Sequence, residues 1–138
     1  MEIALPPDEL LFIAKAAALF TPAYDVVLYG SRARGDFRRY SDVDIAVFGA
    51  PAPFDVEVTR LYSVLNNSEM TVQPKIVQIS SHKARDFVLN VLEDGILVYE
   101  GCGRFREHRR EEGFGTTPQP LFVAESIPTL TKRPIEQS

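Results

Sequence analysis

Residues 30–47 run GSRARGDFRRYSDVDIAV. The residues just before them, VVLYG, form a short apolar run that ends in glycine, the pattern of a buried strand. The polar segment that follows opens on Ser31, a residue type suited to capping a helix. In DVDIAVFG, residues 42–49, the apolar Val43, Ile45 and Val47 alternate with Asp42, Asp44 and Ala46. That spacing predicts a second strand with both carboxylates on one face. Strand, turn and strand then bring a backbone donor site and a carboxylate pair to the same end of a sheet.

Each residue type in this unit has a chemical use. Gly30 has no Cβ, so the main chain can approach a ligand closely there. The Ser31 hydroxyl and the amides of a following helical turn suit phosphate oxygens. Asp42 and Asp44 are hard oxygen donors that suit Mg²⁺, which takes one or two carboxylates and completes its shell with substrate phosphate and water. Arg32, Arg34, Arg38 and Arg39 place positive charge where a polyphosphate would sit. Taken singly, Gly-Ser is a common turn, Asp-x-Asp a common solvated edge, and the arginines ordinary salt-bridge partners. Together they are more specific, because two neighbouring carboxylates repel unless a cation neutralises them.

Outward from this unit, helices and strands alternate. Apolar residues at 10, 11, 13, 14, 17, 18 and 19 follow helical spacing, with Pro7 in the first turn and Pro22 as a stop. After the break at APAP, residues 54–65 read as a helix with Val58, Leu61, Tyr62 and Leu65 inward. MTVQPKIVQI, residues 70–79, is strand-like, and Pro74 predicts an edge position or a bulge. Ser80 and Ser81 offer a cap for a helix reaching Glu93, with Ala84, Phe87, Val88, Val91 and Leu92 on its buried side. Asp94-Gly95 then turns into a last strand, ILVYE. The fold class expected is α/β or α+β, a small mixed β-sheet flanked by helices.

The domain is expected over residues 1–100. Residues 101–138 read as a charged tail containing Pro and Gly, partly disordered or docking on a partner, in which PLFVAESIPTL could add a strand. The whole chain has 138 residues, 45% hydrophobic and 25% charged, the balance of one globular domain. No apolar stretch is long enough to cross a bilayer, and MEIALPPDEL lacks the basic start and apolar core of a secretory signal, so a cytoplasmic protein without membrane partners is expected. The single Cys102 excludes an intramolecular disulfide and a cysteine-cluster zinc site. It reads as a free loop cysteine, though Arg104 nearby could lower its pKa. His82 and His108, without partners at ligand spacing, read as surface residues. The net charge is −4, with 9 Lys+Arg against 14 Asp+Glu in residues 1–100 and 6 against 5 in the remainder. With no extended basic track, nucleic acid is not an expected partner. A small domain with an apolar piece in its tail is a candidate homodimer.

Gly30-Ser31, ten intervening residues and Asp42-Val43-Asp44 resemble the signature of the DNA polymerase β-like nucleotidyltransferase superfamily. In so short a chain, GSRARG…SDVDIAV is similar to the minimal nucleotidyltransferase branch, whose members act as antitoxins in toxin–antitoxin pairs. The likeness covers roughly residues 10–100. It implies that Gly30 and Ser31 clamp the phosphates of ATP or another NTP, with Arg32 and Arg34 as further phosphate contacts. It implies that Asp42 and Asp44 bind Mg²⁺ (or Mn²⁺) and carry the catalysis of nucleotidyl transfer to an acceptor hydroxyl. By the same resemblance, the acceptor lies on a HEPN-type partner protein, with tyrosine typical. The alternative is a nucleotide-binding module, weakened or inactive in transfer, that neutralises its partner by contact.

One position departs from that resemblance. The superfamily supplies a third carboxylate from a later strand, and in VQPKIVQI the matching position holds Lys75. An ammonium there repels a cation. Four readings stay open from sequence. Asp55, Glu57 or Glu69 could reach the site instead; the metal site could be weakened; Lys75 could stand in for a missing metal's charge; or Lys75 could point to solvent beside Pro74.

Overall fold

The two strands that flank the Gly-Ser turn sit side by side at the centre of the sheet. In the computed structural model of the chain, which describes residues 5–35, 42–51, 55–68, 70, 73–80 and 83–123, the strand order is β3-β2-β1-β4. Strand β1 (Asp25–Tyr29) pairs antiparallel with β2 (Val43–Phe48) and with β4 (Ile96–Tyr99). Strand β3 (Pro74–Ile79) runs parallel to β2. The sheet is therefore mixed, as its sequence pattern predicts, and helices cover both faces. Pro74, the first residue of β3, lies on an edge strand, where a missing N–H costs no ladder bond.

One face carries Val26, Leu28, Val43, Ile45 and Val47 against helices α1 (Pro7–Phe20) and α3 (Val56–Asn66), through Ile13, Ala14, Ala17, Leu61 and Leu65. Tyr62 of α3, expected inward, is exposed. Asp55 caps α3, its Oδ1 accepting the amides of Glu57 and Val58 at 2.9 and 3.1 Å. The opposite face carries Val27, Ala46, Phe48, Ile79 and Leu97 against helix α4 (Arg85–Asp94), through Val91 and Leu92. Helix α4 begins later than the serine pair suggests: Ala84 is its cap residue and is exposed rather than buried.

The segment after Glu100 is more structured than a linker. Arg104–Glu111 forms helix α5, and Phe105 is buried edge-on against Phe48 with ring centroids 5.2 Å apart. A buried carboxylate holds this helix in place. Asp25 Oδ1 accepts the amides of Gly101, Cys102 and Gly103 at 2.9–3.0 Å, and its Oδ2 accepts that of Phe105 at 2.9 Å. His108, expected on the surface, is half-buried with its ring against Phe48. Farther along, Leu121 and Phe122 donate to carbonyls of Leu97 and Val98, so the apolar piece lies parallel along β4. Its continuation from Ala124 lies outside the described residues. No helix among the described residues is long and apolar enough to cross a membrane.

Candidate nucleotide and metal site

Gly30 follows β1 and caps the short helix α2 (Ser31–Arg34). Its φ of 80° is one that L side chains rarely adopt. A Cβ there would stand 2.5 Å from Asp44 Oδ2, so the glycine is required twice, by its torsion and by the carboxylate against it. The amides of Ala33 and Arg34 donate to the Gly30 carbonyl, which closes the turn. Ser31 is the first helical residue, and an amide at that position has no acceptor within its helix. The expected juxtaposition of the Gly-Ser turn with the Asp-x-Asp strand is thus realised at Gly30 and Asp44.

Three strands meet at this end of the sheet. Asp44 is in register with Tyr29 of β1 on one side and with Lys75 of β3 on the other. Paired residues share a face, so Tyr29, Asp44 and Lys75 form one row across the sheet. Asp42, directly before β2, is exposed, and its charge reaches the Asp44 carboxyl. Burial holds the Asp44 carboxyl above its usual range, Lys75 opposes the shift, Asp42 adds to it and Arg34 again opposes it. Tyr29 packs edge-on against Phe87 of α4 at 5.7 Å, and burial with the Asp44 charge pushes its hydroxyl up to about 12.

The arginines divide. Arg32 is buried; Arg34 is exposed and pairs with Asp94 at the end of α4, Nη1 to Oδ2 at 3.0 Å. Arg38 and Arg39 lie outside the described residues. Tyr29, which from sequence reads as strand core or as a platform for a base, is a neighbour of the site, whereas Phe87 and Asp94 as neighbours went unread in the sequence.

Asp55 and Glu57 lie elsewhere. Asp55 Oδ2 accepts the Tyr24 hydroxyl at 2.7 Å, next to the start of β1, whereas Asp44 faces the end of β1. That bond, followed by burial and the Asp55 charge, raises the Tyr24 hydroxyl's pKa, and the Glu57 charge adds to it. Both carboxylates therefore belong to the far end of the sheet, and Glu69 lies outside the described residues. Cys102 is not an activated thiol: burial pushes its pKa up, and its Sγ donates to the Phe48 carbonyl at 3.6 Å.

Asp42 and Asp44 fit a divalent cation shared with substrate phosphates, because a half-buried carboxylate raised first by burial and then by its neighbour's charge gains from a cation. Among the described residues no group of three or more His, Cys, Asp or Glu side chains is placed to hold a metal ion.

No curated protein gives a significant match to the chain. A family model described as "Polymerase beta, Nucleotidyltransferase" matches residues 20–101. That span takes in all four strands, the Gly-Ser turn and the Asp-x-Asp strand, and it exceeds half of the sequence. The chain thus belongs to the polymerase β nucleotidyltransferase family.

Proposed function

We propose that the chain binds ATP or another NTP with Mg²⁺ (or Mn²⁺) and transfers a nucleotidyl group to an acceptor hydroxyl. The observation that carries this reading is the contact of Gly30 with Asp44, which joins a phosphate-suited turn to a metal-suited carboxylate pair. Gly30 and Ser31 hold the phosphates by main-chain and hydroxyl donors. Asp42 and Asp44 hold the cation, which when bound neutralises the triphosphate and draws charge from the α-phosphate. Arg34 adds positive charge on the same side, and Arg32, buried in the same short helix, is the other arginine assigned to phosphate contact.

In the reaction, the acceptor oxygen forms a bond to the α-phosphorus, and the bond from that phosphorus to the β-bridging oxygen breaks. Pyrophosphate leaves with the electron pair, and the acceptor's proton passes to solvent. The acceptor in this reading is a hydroxyl on a HEPN-type partner protein.

A second reading is favoured by Lys75: a nucleotide-binding module that neutralises its partner by contact. The two separate in one experiment. The protein is incubated with a HEPN-type partner protein and with ATP labelled at the α- or the γ-phosphate. Transfer predicts covalent label from the α-phosphate only, lost in Asp42→Asn/Asp44→Asn together with neutralisation. Neutralisation that survives in the variant without any label favours contact.

A further inference from the structure

We propose that this nucleotide site takes a single divalent cation and that the Lys75 ammonium supplies the positive charge a second cation would bring. The inference rests on the reading of Gly30, Ser31, Asp42 and Asp44 as the nucleotide site.

The parallel register of β2 and β3 sets Lys75 opposite Asp44, on the same face and one strand spacing away, about 4.8 Å between strands. On the other side Asp44 faces Tyr29, which brings a neutral phenol. Neither neighbour of Asp44 in the sheet is therefore an anionic donor.

Among the described residues, Asp94 and Asp55 have other partners. Asp94 is paired with Arg34, and Asp55 binds Tyr24 and the first turn of α3 at the far end of the sheet. Asp42 and Asp44 together carry two negative charges, enough for one dication. A second dication would meet an ammonium across a strand spacing, and among the described residues no third metal-ligating side chain joins Asp42 and Asp44 to offset it. The same ammonium is well suited to a nucleotide, because lysine is a compact, mobile charge with three donors for phosphate oxygens. Lys75 is exposed on the edge strand β3.

The test counts Mn²⁺ bound per chain by equilibrium dialysis with electron paramagnetic resonance, at saturating α,β-methylene-ATP. The wild type is expected to hold one Mn²⁺ and Lys75→Asp two. Lys75→Met is expected to keep one Mn²⁺ and to bind the analogue about tenfold more weakly, the loss of one charged contact. Because Lys75 is exposed, the Met variant keeps the fold and carries the test even if the Asp variant does not. Two Mn²⁺ on the wild type, one on a folded Lys75→Asp, or unchanged analogue affinity in Lys75→Met overturns the inference while leaving a nucleotide site. Absence of analogue binding by the wild type at any Mn²⁺ concentration overturns the site and the inference together.

Discussion

Gly30 and Asp44 share one contact: a Cβ on the glycine would lie 2.5 Å from the aspartate's Oδ2. The turn that suits phosphate and the carboxylate that suits metal are thus shaped against each other. Gly30→Ala would meet both the positive φ and the carboxylate. We expect a loss of about 1–3 kcal/mol in urea unfolding, as for a residue forced into a left-handed torsion. Metal-dependent nucleotide binding should fall further than stability does, since Asp44 must move aside.

Asp44 itself is a stability cost to the metal-free protein. Its folded pKa is raised, by burial first and by Asp42, against Lys75 and Arg34. A raised carboxyl contributes fully below its unfolded pKa, about 3.9, and loses that contribution as pH rises through the folded pKa. Asp44→Asn should therefore unfold at a higher temperature than wild type at pH 7 in chelator, and the difference should shrink toward pH 4. The same substitution should abolish metal-dependent nucleotide binding. A melting temperature at pH 7 below wild type would contradict the account.

Much of the site was legible before any coordinates, because its logic is local. The period-two pattern of DVDIAVFG and the glycine closing VVLYG depend on near neighbours in sequence, and so does Pro74 at an edge. Lys75 entered only through the family resemblance, as the residue at the third-carboxylate position, and the parallel register of β2 and β3 sets it opposite Asp44. What stayed hidden depends on distant partners. RFREHRRE has one apolar side chain and no helical stripe, yet α5 forms because Asp25, 80 residues before Phe105, receives its leading amides. Tyr29 on Phe87 and Arg34 on Asp94 join segments that only the tertiary fold brings together.

Asp25 accepts four backbone amides from residues 101–105. In Asp25→Asn one oxygen becomes an NH₂ group that faces an amide donor instead of accepting from it. We expect a loss of about 2–4 kcal/mol in denaturant unfolding, with faster hydrogen exchange at Gly101 to Phe105. Slow exchange there in the variant would show that other contacts hold α5.

Asp55 provides a contrast, since it caps α3 and accepts the Tyr24 hydroxyl away from the site. Asp55→Ala should cost about 1–2 kcal/mol of stability through the lost cap and bond. Its affinity for ATP and Mg²⁺, measured below the unfolding transition, should equal that of wild type. A large loss of metal-dependent binding would return Asp55 to the list of metal ligands.

The most direct measurement is a calorimetric titration of the purified chain with ATP, with and without Mg²⁺, beside Asp42→Asn/Asp44→Asn. The account predicts binding that Mg²⁺ strengthens in the wild type, and loss of that Mg²⁺ dependence in the double variant. Equal Mg²⁺-dependent binding by both proteins, or no binding of any NTP by the wild type, would contradict it.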